Sequence, residues 1–544
     1  MVLSVDKHSG NGLATDPNHT GYFAAGKGRN LLAAQRKGSV NMKLSALFPG
    51  HAIPCDVEIR GLKTNSREVE PGDLFLCIKG VSVDRHDYIE DAAGRGAVAA
   101  VVSRNVSCSI PCVRVDNVDA ILDELYDRFY DRPQDKLCVI GVTGTDGKTS
   151  TATIIQKLLG EENCGYIGTN GVSCRGFEAD NPNTTPDKGH WMAFFRAFLD
   201  HGCKYVAMEA SSEAFFYGRL KGLHFHAAAI SNVTSEHLNT HKTLENYIAC
   251  KQQLFLQNDG PSILNRDDAH FEEFRAVSQR VVTYGRGEDN DLRIKAYTLC
   301  PGGTDATFVY GGTEYAFRSP LVGAFNVENL AEAMLVCLSL GMTMEQLIGR
   351  LPQLHVEGRM ESVSLGQSYG VIVDYAHTPN GIQKLMDFVR QLGGKRIITV
   401  SGQAGGRDKD KRKFVGEAIA RNSYHCIWTL EDPRNEKVED IADMMSENIR
   451  DLNNYETVTD RQAAIEKAVG MARKGDIVLI LGKGAEDSNV INGEDVPYPG
   501  DIKCAEMAIH RRMEKRERRL QRTRSPKPAA AAQRGTRKKT SEKR

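Results

Sequence analysis

At 544 residues the chain exceeds what one ordinary core can organise, and roughly three domains of about 100 to 220 residues each are expected. Hydrophobic residues make up 41%, enough to fill those cores, and Gly 51 against Pro 18 points to many tight βα turns rather than an extended or fibrous protein. Lys+Arg and Asp+Glu balance at 70 each, yet Arg511 to Arg544 holds 15 Lys/Arg against 3 Glu, so the tail carries +12 and the remainder −12.

The 13 cysteines include no CxxC pair, and several lie inside apolar runs such as Met334-Leu-Val-Cys337. That usage fits reduced, buried thiols in a cytoplasmic protein better than a disulfide frame. No apolar run approaches the roughly 18 residues of a membrane helix, and the N-terminus lacks the apolar core of a secretory signal.

Residues 1–40 are polar, glycine-rich and aperiodic, and read as a flexible leader. Residues 41–132 alternate short apolar runs with turns, among them Asp73–Ile78, Ala97–Val102 and the helical Val118–Phe129, and read as a small α/β domain closed near Pro133. From 133 to 355 strands and helices alternate as in a parallel sheet covered on both faces. The predicted strands are Leu137–Ile140, Tyr205–Glu209, Ala227–Ile230, Ser262–Asn265 and Val281–Tyr284. Residues 291–320 look antiparallel, a small sheet appended to that domain, and Asn326–Leu340 returns to helical periodicity. A third βα set spans 356–509, with strands at Val371–Val373, Arg396–Val400, Cys426–Trp428 and Asp476–Leu481. The tail, 510–544, is basic: Arg511–Leu520 prolongs the last helix, and the segment from Ser525 reads as disordered. It suits nucleic acid or another acidic surface.

The chemistry is densest after Leu137–Ile140, in Gly141-Val-Thr-Gly-Thr-Asp-Gly-Lys-Thr-Ser150. A strand, a glycine-rich turn and a helix opening on Lys148 wrap backbone N–H groups around phosphates. The candidate nucleotide ligands are Gly144, Thr145, Asp146, Gly147, Lys148, Thr149 and Ser150, with Lys148 as a point charge and a hydroxyl for Mg²⁺. Val142 stands where the usual spacing has its first glycine, and an ordinary glycine turn is the bland alternative. Glu209 closes a predicted strand and is either a Mg²⁺ ligand or a cap, while Ser211 follows it as a hydroxyl or helix cap. His237 and His241 lie four apart without a zinc-protease pattern. Lys251 sits among apolar neighbours on a predicted helix, and from those residues alone a snorkelling side chain is the simpler reading.

Taken together these segments resemble the ATP-dependent Mur ligases of peptidoglycan synthesis, and within them the branch adding the third residue. The match covers roughly residues 60 to 505. It rests on the phosphate loop, Asn183-Thr184-Thr185-Pro186, Phe325-Asn326-Val-Glu-Asn329, Gly358-Arg359-Met360-Glu361 and Val373-Asp374-Tyr375-Ala376-His377-Thr378-Pro379. The resemblance implies an α/β, three-domain architecture with a central P-loop parallel sheet and a Rossmann-like C-terminal domain. It implies that Lys148, Glu209, His237 and Lys251 are catalytic, with Mg²⁺ held near Thr149, Glu209, His237 and a carbamylated Lys251. Asn326, Arg359, Asp374 and His377 then face the nucleotide. Ser66, Thr184, Thr185, Ser211 and Arg219 hold the UDP-linked acceptor.

The implied reaction joins meso-diaminopimelate to the D-Glu γ-carboxylate of UDP-MurNAc-L-Ala-D-Glu through an acyl phosphate, using ATP and Mg²⁺ and releasing ADP and phosphate. Glu431, Asp432, Pro433, Arg434, Gly482, Glu486 and Arg407 are the implied amino-acid ligands, Arg434 gripping the distal carboxylate in bidentate fashion. The bland alternative is an Arg434 ion pair with Glu436 or Glu431. Four departures from the family pattern stand out: Glu213 where histidine is usual, Glu236 where aspartate is usual, Asp432 for Asn and Ala485 for His. L-lysine or another diamino acid, or a paralogue acting on a different acceptor, are the open alternatives. A retired, nucleic-acid-binding scaffold is the reading from outside the enzymes. A cytoplasmic monomer needing no nucleic acid or membrane partner is expected.

Overall fold

The computed structural model describes residues 41–80, 83–300 and 302–524; the expectations for the leader and for the segment after Ser525 fall outside them. Near the N-terminus four parallel strands pair in chain order: β1 (Gly61–Lys63), β2 (Asp73–Leu76), β3 (Ala99–Val102) and β4 (Cys112–Arg114). Helices α1 (Ile89–Arg95) and α2 (Val118–Tyr130) accompany them. Asn117 caps α2 by accepting from the Ala120 N–H, and Leu125, Tyr126, Phe129 and Tyr130 bury one face of it.

The central sheet has eleven strands, in order β8-β7-β6-β9-β5-β10-β11-β12-β13-β14-β15. These are β5 (Cys138–Thr143), β6 (Cys164–Gly168), β7 (Gly171–Cys174), β8 (Phe177–Ala179), β9 (Tyr205–Glu209) and β10 (Ala227–Ile230). They continue as β11 (Pro261–Asn265), β12 (Arg280–Gly285), β13 (Leu292–Cys300), β14 (Gly303–Tyr310) and β15 (Thr313–Ser319). Strands β6, β9, β5, β10, β11 and β12 are parallel; all but β12 are buried along nearly their whole length, and in β5, β9 and β10 this shows as a largely apolar run. The antiparallel character of 291–320 holds, but β13–β15 form no separate sheet. Leu292 and Arg293 pair in parallel with Tyr284 and Gly285, so the three strands extend the main sheet.

On one face, α3 (Lys148–Leu159) packs against α7 (Ala324–Ser339), whose buried residues run almost without a gap. On the other lie α4 (Lys188–Asp200) and α6 (Leu244–Leu256), with the short α5 (Ser212–Phe216) near the strand ends.

The third sheet runs β16-β17-β21-β18-β19-β20: β16 (Glu361–Ser362), β17 (Gly370–Asp374), β18 (Ile397–Ser401), β19 (His425–Trp428), β20 (Tyr455–Thr457) and β21 (Ile477–Leu481). Only the β16–β17 pair is antiparallel. Helices α8 (Pro379–Gln391), α9 (Lys411–Ala420) and α10 (Arg461–Met471) cover the sheet, and a hairpin of β22 (Ser488–Ile491) and β23 (Glu494–Pro497) precedes α11 (Asp501–Arg524). Among the described residues, no helix is long and apolar enough to cross a membrane.

Candidate active site

The carboxyl ends of β5, β9 and β10 open onto a cavity of about 470 Å³, closed from the other side by the third sheet's loops. Strand β5 runs through the glycine turn into α3. Gly147 has φ +93°, where a side chain is strained, and a Cβ there would stand 2.5 Å from Asn329 Oδ1. Glycine is therefore required, and the unpaired first-turn N–H groups of α3 lie at the cavity wall with Lys148, Thr149 and Ser150. The loop is held from β10's exit: Thr145 N–H donates to Asn232 O at 2.8 Å, and Ser231 Oγ to Asp146 O at 2.5 Å. Lys148 Nζ donates to the carbonyls of Gly144 and Thr145 at 3.0 and 2.9 Å.

Glu209, fully buried at the end of β9, is oriented by four donors. Its Oε1 accepts from Tyr166 OH and Thr169 N–H, each at 2.8 Å, and its Oε2 from Thr149 Oγ1 at 3.1 Å and Thr169 Oγ1 at 3.4 Å. Thr185 Oγ1 donates to the Glu209 carbonyl at 2.7 Å and accepts from Ser211 N–H at 3.0 Å, while Arg219 donates to Thr185 O at 3.1 Å. Thr184 and Thr169 hydroxyls meet at 3.1 Å.

Lys251 does not snorkel. It shares the apolar stripe of α6 with Tyr247, Ile248, Leu254 and Phe255, is 1% exposed, and its Nζ donates to Gly144 O at 2.7 Å. Burial, and then the charge of Lys148, push its ammonium well below the usual lysine range. Its stem lies beneath the phosphate loop.

Two of the departures from the family pattern, Glu213 and Glu236, lie in an ion cluster that spans the cleft. Glu236 faces His237 Nε2 at 3.8 Å, and His377 Nε2 and Lys411 Nζ at 3.4 Å each, the last two from beyond β17. Burial pushes the Glu236 carboxyl up, but the His377 hydrogen bond and the charges of His237 and Lys411 outweigh it and hold it well below the usual range. Glu213 faces His237 Nδ1 at 3.8 Å and Arg407 Nη1 at 3.7 Å. Two further contacts cross the cleft: Arg359 Nη2 donates to Thr149 Oγ1 at 3.0 Å, and Thr378 Oγ1 to Asp146 Oδ1 at 3.2 Å. Asp374 fixes the strand end that carries them, accepting from Met360 and Ala376 N–H at 2.7 Å each.

On the third sheet, Asp432 and Arg434 both adopt positive φ, +41° and +53°, so the loop after β19 is sharply folded. Gly482 (φ +108°) lets Glu431 approach, since a Cβ there would meet its Oε2 at 2.0 Å. Burial raises the Glu431 carboxyl to about 7, and its Oε2 has no hydrogen-bond partner among the described residues. The Arg434 guanidinium likewise forms no ion pair among the described residues; Glu436 is taken by Arg412 at 2.8 Å and Lys409 at 3.2 Å. The surface ion pair with Glu436 or Glu431 therefore does not form. Asp432 is held by Lys483, fully buried, which donates to Asp432 Oδ1 and Glu486 Oε2 at 2.8 Å each.

Most of the residues singled out from the sequence line this one cavity. Ser66, Gly144, Thr185, Asn326 and Pro433 do not. Ser66 is buried in the first sheet's 66–68 turn, Thr185 stands behind Ser211, and Pro433 packs its carbonyl on Gly405. Asn326 turns back to Val322 O at 2.8 Å, so Asn329, one turn later, lines the cavity instead. Sequence reasoning also missed Tyr166, Lys411 and Lys483. Lys483 stands between the candidate ligands Gly482 and Glu486 and could have been read there; Tyr166 carries no local signal.

Three family models match in order: "Mur ligase family, catalytic domain" over 58–130, "Mur ligase middle domain" over 142–337, and "Mur ligase, glutamate ligase domain" over 358–484. The chain is 36% identical over 468 residues to the UDP-N-acetylmuramoyl-L-alanyl-D-glutamate–2,6-diaminopimelate ligase of Geobacillus kaustophilus, covering 84% of this chain and 96% of that one. It belongs to the Mur ligase family. A solved structure of a ligase with that same name superposes with TM-score 0.56 at 26% identity, covering 87% of this chain and 99% of the other. The MurF ligase of Thermotoga maritima in complex with ADP shares the fold, with TM-score 0.62 at 20% identity over 84% and 98% of the two chains.

Among the described residues, no three His, Cys, Asp or Glu side chains stand close enough to hold a metal by themselves. The setting of Glu209 and Thr149, oxygen donors beside a phosphate loop, fits Mg²⁺, which takes one or two protein carboxylates and completes its shell with phosphate and water.

Proposed function

We propose that this Mur ligase joins meso-diaminopimelate to the D-Glu γ-carboxylate of UDP-MurNAc-L-Ala-D-Glu, converting ATP to ADP and phosphate. The observation that carries it is the convergence of two unlike sites on one cavity: a phosphate loop with Lys148, and a folded loop presenting an unpaired Arg434. The 36% identity to a diaminopimelate ligase across nearly its full length supports the same reading.

A carboxylate is a poor electrophile, so the γ-carboxylate takes the terminal phosphoryl of ATP to become an acyl phosphate. The free amine of the incoming amino acid adds to that carbonyl, phosphate leaves, and the amide remains. Lys148 and the first-turn N–H groups of α3 stabilise charge on the transferring phosphoryl. Mg²⁺, when bound near Thr149, Glu209 and His237, would screen the phosphate oxygens. Lys251, buried and favoured as a neutral amine, is suited to add CO₂ and become a carbamate that lends negative charge there. Thr184, Ser211 and Arg219 hold the acceptor's peptide, and Ser66 in the 41–132 domain its uridine end. The 133–355 domain serves ATP, with Asp146, Asn326, Arg359, Asp374 and His377 about the nucleotide, and 356–509 serves the amino acid.

For the amino acid, Arg434 and Arg407 offer guanidinium groups to a distal carboxylate that lysine lacks, and Glu431 and Glu486 offer carboxylates to its ammonium. In this reading the protein acts as a cytoplasmic monomer, and the charge of its basic 510–544 segment suits an acidic partner. Purified protein should release ADP only when both the UDP-linked dipeptide and diaminopimelate are present. No turnover with that acceptor across several diamino acids would instead favour a paralogue with another acceptor, and the Glu213 and Glu236 departures would then be the first residues to examine.

A further inference from the structure

The candidate amino-acid ligands come from loops with no backbone continuity: 430–434 after β19, and 481–486 after β21, which runs into the β22–β23 hairpin. One buried guanidinium joins them. Arg461, the first residue of α10 and 3% exposed, donates from Nη1 to Leu430 O at 3.2 Å and from Nη2 to Leu481 O at 2.8 Å. Those carbonyls immediately precede Glu431 and Gly482. The same group grips Asp501 in a fork, Nε to Oδ1 and Nη2 to Oδ2, each at 2.7 Å. Asp501, fully buried at the start of α11, also accepts from Tyr498 OH at 2.8 Å, and Tyr498 N–H donates to Asp487 O at 2.8 Å, beside Glu486. The hairpin closes the circle: Val490 N–H donates to Asp432 Oδ1 at 3.0 Å, and Arg434 N–H to Val490 O at 2.9 Å.

A buried ion pair is a poor source of net stability, because desolvating both charges offsets most of their attraction. Its geometry is another matter. A planar fork that meets one carboxylate and two carbonyls fixes the distance between the loops more tightly than apolar packing would. Arg461 does not line the cavity, so it reaches any substrate only through the main chain it holds. We propose that Arg461, locked by Asp501 and Tyr498, is a positioning residue that sets the spacing of the Glu431–Arg434 and Gly482–Glu486 loops and thereby the selection of the amino acid. Lysine cannot replace it, since donors radiating from one nitrogen do not span a carboxylate and two separate carbonyls.

The proposal rests on those loops being the amino-acid site, and its test separates the two claims. In the full-length enzyme, KM is measured separately for amino acid, ATP and UDP-linked acceptor in wild type, Arg461→Lys and Asp501→Asn. Expected is a rise in amino-acid KM of about tenfold or more, with the other two within about threefold. Combining Arg461→Lys with Arg434→Ala should lose less than the product of the single losses, because Arg434 depends on the loop that Arg461 holds. An unchanged amino-acid KM in a folded variant, three KM values rising together, or fully multiplicative losses would each overturn it. If Arg461→Lys fails to fold, the nearly isosteric Asp501→Asn decides. Should the wild type reject diaminopimelate but use another amino acid, the proposed substrate fails while the same KM comparison, run with that amino acid, still decides the role of Arg461.

Discussion

The candidate phosphate loop draws on one consecutive run, Gly141 to Ser150, and most of the groups it offers are main-chain N–H groups whose direction the turn dictates. The candidate amino-acid pocket takes its groups from side chains on separated loops, and each loop is aimed by a buried charge: Arg461 on the carbonyls, Lys483 on Asp432 and Glu486. A main-chain site is specified locally and keeps its geometry through single substitutions outside its glycines. A side-chain site is specified at a distance and fails when a remote support is altered. Substitutions in the two regions should therefore fail in different ways.

The largest effect is expected at Lys148. Lys148→Ala removes the point charge on the transferring phosphoryl, and turnover should fall by about 10³-fold or more. The melting temperature should stay within a few degrees, because Nζ bonds only loop carbonyls. A variant that retains substantial turnover would disconnect the loop from the chemistry. Next in size is Lys251→Ala, with a loss of about 10²-fold or more and partial recovery in formate or acetate, small carboxylates that fit a carbamate's place. Loss without recovery would leave Lys251 as packing beneath the loop.

Arg434→Ala probes the other region. Losing one bidentate grip on a carboxylate should lower kcat/KM for diaminopimelate by about 10- to 100-fold, with KM for ATP unchanged. Preference over L-lysine should shrink by a similar factor. A wild-type preference for lysine, or no loss in the variant, would remove Arg434 from the pocket and leave the ligase chemistry untouched.

The same contrast explains what could be read from the sequence. Strands β5, β9, β10, β11 and β12 were legible because their centres are short apolar runs set between turns. The glycine turn was legible because its residues are adjacent. β6 to β8 were not, since Cys164-Gly-Tyr-Ile-Gly168 is short and glycine-bounded, and with them went Tyr166 and its bond to Glu209. The burial of Lys251 was misread from its residues alone: one cation on an apolar stripe looks alike whether its tip reaches water or a carbonyl beneath a loop. The motif around Arg434 was visible, but the pairing of Asp432 with Lys483 was not. Lys483 lies 51 residues from Asp432 along the chain, and the pairing of β18 with both β19 and β21 brings it there.

The smallest effect concerns the support behind the phosphate loop. Glu332 on α7 is fully buried, and its Oε2 accepts from Thr151 Oγ1, on the loop's own helix α3, at 3.0 Å. Burial raises this carboxyl to about 8, outweighing the hydrogen bonds from Thr151 and Tyr284. The folded protein thus keeps a proton that the unfolded chain releases near the ordinary value of 4.5. The contribution is fully present below that value and is lost as pH rises toward about 8, by roughly 1.4 kcal/mol per pH unit until the folded carboxyl also ionises. Glu332→Gln keeps the shape and an acceptor for Thr151 while abolishing the titration. Its melting temperature relative to wild type should therefore improve steadily between pH 5 and pH 8, by a few degrees in all, while turnover at each pH changes little, because the loop's geometry comes from its glycines and from the β10 exit. Parallel melting curves across that range would show that Glu332 ionises in the folded protein at its ordinary pH. A loss of turnover in Glu332→Gln would show that the main-chain site, too, depends on a side chain behind it, and would erase the difference between the two regions.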